Sequence, residues 1–391
     1  MGSVLVTNIG ELVTNSPELG DESVMGRLYD AALVSVDGVV SWVGSAHDAP
    51  ACDDVIDCEG AAVVPGFVDS HTHLVFAGSR GDEFAARMAG ERYDGGGIAR
   101  TVAATRAASD DELRRASLAR LAELQRSGVT TVEIKSGYDL TVSGEARLLR
   151  LARDMTLETT FLGAHSVPAE YRHDRDGYVS LVAGEMLREA SAYARWADVF
   201  CDEGAFSVEE ARHILTASRD LQLGLRLHGN QLADSGGVGL AVELGAASVD
   251  HCTYVSDHDI EALAGSDTVA TFLPTAELCT RSPFPNARRF LDAGVTLALA
   301  TDCNPGTSYV TNAPLVVQLA VTLMNFTVDE AIWAFTAGGA RALRRDDIGG
   351  LAIGQRADAV VLAGPHSVDV AYKASSQPLR AVLRKNALLA L

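Results

Sequence analysis

Two histidines one residue apart, His71 and His73, close the apolar run "VVPGFVDSHTH", and Arg80 follows seven residues after the second. Alternate residues of a strand point to the same face, so a His-x-His pair at a strand end can hold one ion between its two rings. Comparable apolar runs further along end in Lys135, His165, His228, His251 and Asp302. Five of the ten histidines thus stand at expected strand ends, while His47, His173, His213, His258 and His366 fall in helical or loop patterns that read as solvated. Adding His228 and Asp302 to the pair gives three nitrogens and a carboxylate, a donor set suited to one divalent transition metal, Zn²⁺ or Fe²⁺.

For residues so far apart in the chain to meet, the elements carrying them must converge. The runs are "VVPGFVDSHTH", "VTTVEIKSG", "TTFLGAHS", "ADVFCDEGAF", "LGLRLHGNQ", "ASVDHCTY", "TVATFLPTA" and "VTLALATDCNPG". Between them lie helical patterns such as "DDELRRASLARLAELQRSG", "GEARLLRLARDM", "VEEARHILTASRDL" and "GGVGLAVELGA". Eight strands alternating with helices predict an α/β fold, a (β/α)8 TIM barrel over residues 65–344, whose strand carboxyl ends form one face where catalytic groups collect. An open doubly wound sheet is the competing arrangement. Residues 1–64 and 345–391 read as short strands broken by Gly, Asp and Pro, and they are expected to pair into one small β module built from both chain ends.

Composition narrows the function classes. The 391 residues are 47% hydrophobic and 21% charged, ordinary globular values that allow a sizeable core. A formal net charge of -20 with no Lys/Arg cluster argues against nucleic acid and anionic membrane as partners. An anionic small-molecule substrate would need local positive charge, and Arg80 beside a metal offers it. Six cysteines without a Cys-x-x-Cys pair fit a reducing cytoplasm. The start "MGSVLVTNIGELVTN" lacks a basic leader, and no apolar run reaches the roughly 18 residues of a spanning helix. A soluble, unprocessed cytoplasmic protein is expected.

The order His-x-His, His, His, Asp on strands one, five, six and eight resembles the amidohydrolase superfamily over almost the whole chain. The blocks "PGFVDSHTHLVFAGSR", "DGGGIARTVAATRAAS", "GVTTVEIKSGYDL", "TFLGAHSVPAEYR" and "LATDCNPGTS" are similar to one ring-opening branch of it, which acts in histidine degradation. The resemblance implies hydrolysis of the cyclic amide of 4-imidazolone-5-propanoate to N-formimidoyl-L-glutamate, one metal held by His71, His73, His228 and Asp302, and a homodimer. It also implies that Arg80 binds the propanoate and that Tyr138, His165, Asn304, Gly306 and Thr307 contact substrate or product. Two-metal relatives carry a bridging lysine on strand four, and this strand has none. Where some relatives have Glu three residues after the strand-five histidine, this chain has Gln231, which can hold substrate but cannot shuttle a proton. The acid–base role therefore shifts to Asp302, with help from His251.

Lys135 reads as a lysine that closes a strand end or pairs with a carboxylate, Cys252 and Cys303 as packing, and "DGGGIAR" as a flexible loop near the site rather than a phosphate cradle. Two other functions stay open at this point. Another cyclic-amide hydrolase or a nucleobase or amidine deaminase would keep the metal set without the Arg80, Tyr138 and "CNPGTS" group. A metal-free barrel serving as a scaffold would be expected to have lost ligands.

Overall fold

The computed structural model describes residues 2–90, 97–384 and 386–391, which fall into two compact units. The first takes in residues 1–69, 122–131 and 312–391. Its sheet runs in the order Ala387–Ala390, Leu379–Arg384, Ala359–Leu362, Ala62–Pro65, Ser3–Val13, Arg27–Val36, Val39–Ser45, with Asp54–Asp57 also paired to Ser3–Val13. Strands from both ends of the chain thus lie in one sheet. Val4, Val6, Ile9, Leu33, Val63, Val361 and Leu383 are buried together on it, each worth about 1.5–3 kcal/mol relative to exposure. Alternation along Ser3–Val13 breaks between Val6 and Ile9, where Asn8 takes left-handed backbone (φ 54) and lets the strand bulge without losing its inward face.

The second unit, residues 70–121 and 132–311, holds a seven-stranded parallel sheet. Its strands are Ile134–Lys135, Thr159–Ala164, Trp196–Cys201, Gly224–Gly229, Ser248–His251, Val269–Phe272 and Leu297–Leu299, each next to its sequence neighbour. The segment His71–His73 joins its two edges. On one side Lys135 N donates to Thr72 O (2.9 Å); on the other His73 N donates to Cys303 O (2.9 Å) and Asp302 N to His71 O (3.1 Å). The first run thus forms a strand at Phe67–Asp69, paired with Val129–Val132, and its end at His71–His73 bonds to both edges of the parallel sheet.

Helices between the strands follow their signals. Val208–Asp220 starts at a capping box in which the Ser207 hydroxyl accepts from Glu210 N and the Glu210 carboxylate accepts from Ser207 N, an arrangement worth about 1 kcal/mol. It buries Ala211, Ile214, Leu215 and Ser218, one stripe at helical spacing, and stops where Gln222 turns left-handed (φ 63). Asp257–Ala264 begins with the same box made by Ser256 and Asp259. No helix among the described residues is long and apolar enough to cross a membrane.

Candidate active site and metal centre

At the carboxyl ends of the parallel strands four donor atoms face one another. His71 Nε2 lies 3.3 Å from His73 Nε2, His73 Nε2 lies 3.4 Å from His228 Nε2, and Asp302 Oδ1 stands 3.5 and 3.6 Å from the first two. Donors placed tetrahedrally at bonds of about 2.1 Å would be separated by about 3.4 Å. The spacing fits one ion of that kind, and all four side chains are buried.

The far sides of two rings meet carboxylates. His71 Nδ1 lies 2.7 Å from Asp250 Oδ2, so Nδ1 carries the proton and Nε2 turns its lone pair inward. His228 Nδ1 stands 3.0 Å from Asp198 Oδ2, an ion-pair distance. Burial and Lys135 oppose charge on His71, but Asp250 and Asp302 outweigh them and hold it above the ordinary histidine range. His73 is driven well below that range by burial and by His71, His165 and His228 around it.

Beneath the rings lies a buried layer of ion pairs. Lys135 Nζ is 3.0 Å from Glu133 Oε1, 2.8 Å from Asp198 Oδ2 and 3.8 Å from Asp250 Oδ2. Arg226 Nη2 donates to Ser70 O (2.7 Å) and Asp250 Oδ2 (3.2 Å). None of these five charged side chains is more than 1% exposed, so each depends on the others to offset desolvation. Burial opposes the Lys135 charge, yet Asp198 and Glu133 hold its pKa above the usual lysine value.

His251 follows Asp250 directly, and strict alternation would turn it out of the barrel. Its left-handed backbone (φ 81) re-aims it, and the ring lies 5.3 Å from that of His228 and 5.7 Å from that of His71. Asp302 is turned by the same means (φ 52). Such residues cost of order 1–3 kcal/mol each and persist where the surroundings impose them. Burial pushes His251 down to about 3, and its Nδ1 is buried without a hydrogen-bond partner.

Asp302, His73, His228 and His251 share a cavity with Arg80, Tyr138, His165, Gln231, Asn304, Thr307, Ile98 and Phe200, and its free volume is only about 20 Å³. His165 Nδ1 donates to Gly137 O (2.9 Å), and burial takes its pKa down to about 3, so Nε2 is a neutral acceptor. The Asn304 side chain is spent on its own loop: Oδ1 accepts from Gly306 N and Thr307 N, and Nδ2 donates to Asp302 O and Thr307 Oγ1. Thr307 Oγ1 in turn donates to Asp302 Oδ2 (3.2 Å). Gly306 borders the guanidinium of Arg80. Every residue singled out from the sequence as a ligand or contact is therefore at or beside one cavity. The glycine-rich expectation at Asp94–Gly96 lies outside the described residues, whereas Gly97 begins the turn into the helix Ile98–Ala107.

Residues 62–387 match the amidohydrolase family model. An imidazolonepropionase of Salinispora tropica is 58% identical over 98% of each chain, and one of Mycolicibacterium smegmatis is 53% identical over 100% of this chain and 98% of its own. The chain belongs to the imidazolonepropionases of the amidohydrolase family. Solved structures share the TIM-barrel-type fold at lower identity. An atrazine chlorohydrolase from Arthrobacter aurescens complexed with zinc aligns with TM-score 0.72 at 19% identity over 99% of this chain and 95% of its own. An adenosine deaminase from Xanthomonas campestris with bound zinc aligns with TM-score 0.73 at 18% identity over 99% and 93%. Family membership and the donor set together call for a divalent metal.

Proposed function

We propose that this chain hydrolyses the cyclic amide of 4-imidazolone-5-propanoate to N-formimidoyl-L-glutamate in histidine degradation. The observation that carries the reading is the set of four donors at 3.3–3.6 Å opening into the same small cavity as Arg80. His71, His73, His228 and Asp302 would hold one Zn²⁺ or Fe²⁺, which when bound supplies Lewis acidity toward water and the scissile carbonyl. Water adds to the amide carbonyl carbon and the ring C–N bond breaks. Asp302 takes the water's proton and returns it to the leaving nitrogen. His251, with its unpartnered Nδ1, orients the water or stabilises the oxyanion. Arg80 receives the propanoate carboxylate, His165 Nε2 accepts from a ring N–H, and Tyr138, Gln231, Asn304, Gly306 and Thr307 shape the remaining wall.

The reading extends to residues 65–344 as the barrel and to 1–64 with 345–391 as a small β module from both chain ends, which the single sheet joining those strands supports. It also includes a homodimer, which the family resemblance implies, and a cytoplasmic location, which six unpaired cysteines fit. The direct test follows loss of imidazolone ultraviolet absorbance with and without a chelator. Turnover should require the metal and return when Zn²⁺ or Fe²⁺ is restored; full activity in metal-stripped protein would defeat the reading.

A further inference from the structure

Arg80 is buried in the cavity wall, and its guanidinium is held by more than the substrate it would meet. Its Nε donates to Glu83 Oε2 (2.8 Å), and Nη2 stands 2.8 Å from the same oxygen. The other Glu83 oxygen engages Arg100 Nη1 (3.2 Å), which is also 2.9 Å from Asp82 Oδ2. Two glycine backbones close round the group. A Cβ at Gly97 would sit 2.1 Å from Glu83 Oε2 and 2.2 Å from Arg80 Nη2, and a Cβ at Gly306 would sit 2.2 Å from Arg80 Nη1 and 2.5 Å from its Cζ. No other residue type fits either place unless the arginine moves.

We propose that Glu83 and Gly97 are positioning residues that set the orientation of Arg80 for the substrate carboxylate, an inference resting on the reading that Arg80 receives that group. A long arginine side chain loses much rotamer freedom when it grips a ligand. Here that freedom is already gone, because one carboxylate fixes the Nε side of the fork while two glycines admit the plane in one setting. Arg100 draws on the outer oxygen of Glu83, which keeps the carboxylate from neutralising Arg80 fully. Gly97 matters for what it lacks, since its missing side chain is the space the Arg80–Glu83 pair occupies.

The test uses the metal-loaded, full-length enzyme. Glu83→Gln keeps shape but loses charge and should raise KM about tenfold while kcat stays within about twofold and metal content is unchanged. Gly97→Ala should move KM in the same direction. In an Arg80→Ala background, Glu83→Gln should have no further effect on KM, since it acts through Arg80. A KM for Glu83→Gln that is unchanged or lower would overturn the proposal, as would the same rise persisting without Arg80. If Arg80→Ala alone leaves KM unchanged, the underlying assignment of Arg80 fails instead, and the proposal with it.

Discussion

Two layers of the barrel interior, stacked along the same strands, solve opposite problems. At the strand ends His73, His228, His251 and His165 are held below the ordinary histidine range by burial, and the nitrogens of His71, His73 and His228 face one another around a point that wants one cation. Just beneath, Lys135, Asp198, Arg226 and Asp250 are buried as fully, with Glu133 beside them, and the opposite charges within reach hold the two aspartates below and the two cations above their ordinary values. Burial is the same in both layers. Partners decide the protonation state, and the lower layer, through Asp250, decides which nitrogen of His71 points at the ion.

The sharpest way to break this contrast is to remove a donor from the upper layer. His73→Ala should lose the metal and at least about 1000-fold in kcat/KM, about 4 kcal/mol, while circular dichroism still reports a folded barrel. A variant that retains metal by elemental analysis and stays active would remove His73 from the ligand set. In the lower layer the expected loss is stability. Lys135→Met strips the common partner from three carboxylates and should cost about 3–5 kcal/mol in denaturant unfolding of the metal-free protein; a change below about 1 kcal/mol would mean the layer is not a unit.

Asp302 belongs to both worlds, ionised and yet in the cavity. Burial raises its pKa, but His71, His251 and His228 outweigh this and hold it below the usual aspartate value. Asp302→Asn that still binds metal should lose at least about 100-fold in kcat, and Gln231→Ala should lose less and show it mainly in KM. Turnover by metallated Asp302→Asn within about tenfold of wild type would transfer the base to His251.

The most gradual effect, spread over several pH units, uses a buried carboxyl group whose pKa is dominated by burial. Glu277 is buried, accepts from Thr253 Oγ1 (2.8 Å), and burial pushes it up to about 8. Its folded pKa exceeds the unfolded 4.5, so the folded state binds the extra proton between pH 4.5 and about 8 and is relatively weakened as pH rises through that window. Stability of wild type relative to Glu277→Gln should fall by up to about 1.4 kcal/mol per pH unit there. A pH-independent difference in urea midpoints would show that Glu277 is ionised like the paired acids.

The contrast also marks what the sequence could reveal. Histidines at the ends of apolar runs were legible because residue type and the period of two agree, and the five histidines placed outside that pattern are indeed exposed. Lys135 could be read either as closing a strand end or as pairing with a carboxylate, and it does pair with Glu133 and Asp198. Glu133, Asp198, Arg226 and Asp250 were not legible, since a charge within a short strand reads equally well as facing solvent until register fixes its side. One signal was present: "VEIK" and "LRLH" place Glu133 and Arg226 two residues before Lys135 and His228, hence on the same inward face. His251 reaches the cavity only through its left-handed backbone, which no local signal announces. Glu83 and Gly97 escaped notice because their roles depend on Arg80, which they meet only once the loops have folded. The membership of residues 122–131 and 312–344 in the same compact unit as the terminal strands is likewise set by long-range packing.

The segment His71–His73 also has a bearing on how the ring of strands opens. Three backbone hydrogen bonds, from Lys135, His73 and Asp302, tie that segment to the two edges of the sheet, fewer than the ladders elsewhere provide. It is the seam between the two edges, and His71, His73 and Asp302, three of the four proposed metal donors, are stitched into it. An ion held by those donors would act as a rivet, clamping the seam from the inside. Metal-stripped protein is therefore expected to exchange the amides of His73, Lys135 and Asp302 with solvent before those of the strands opposite.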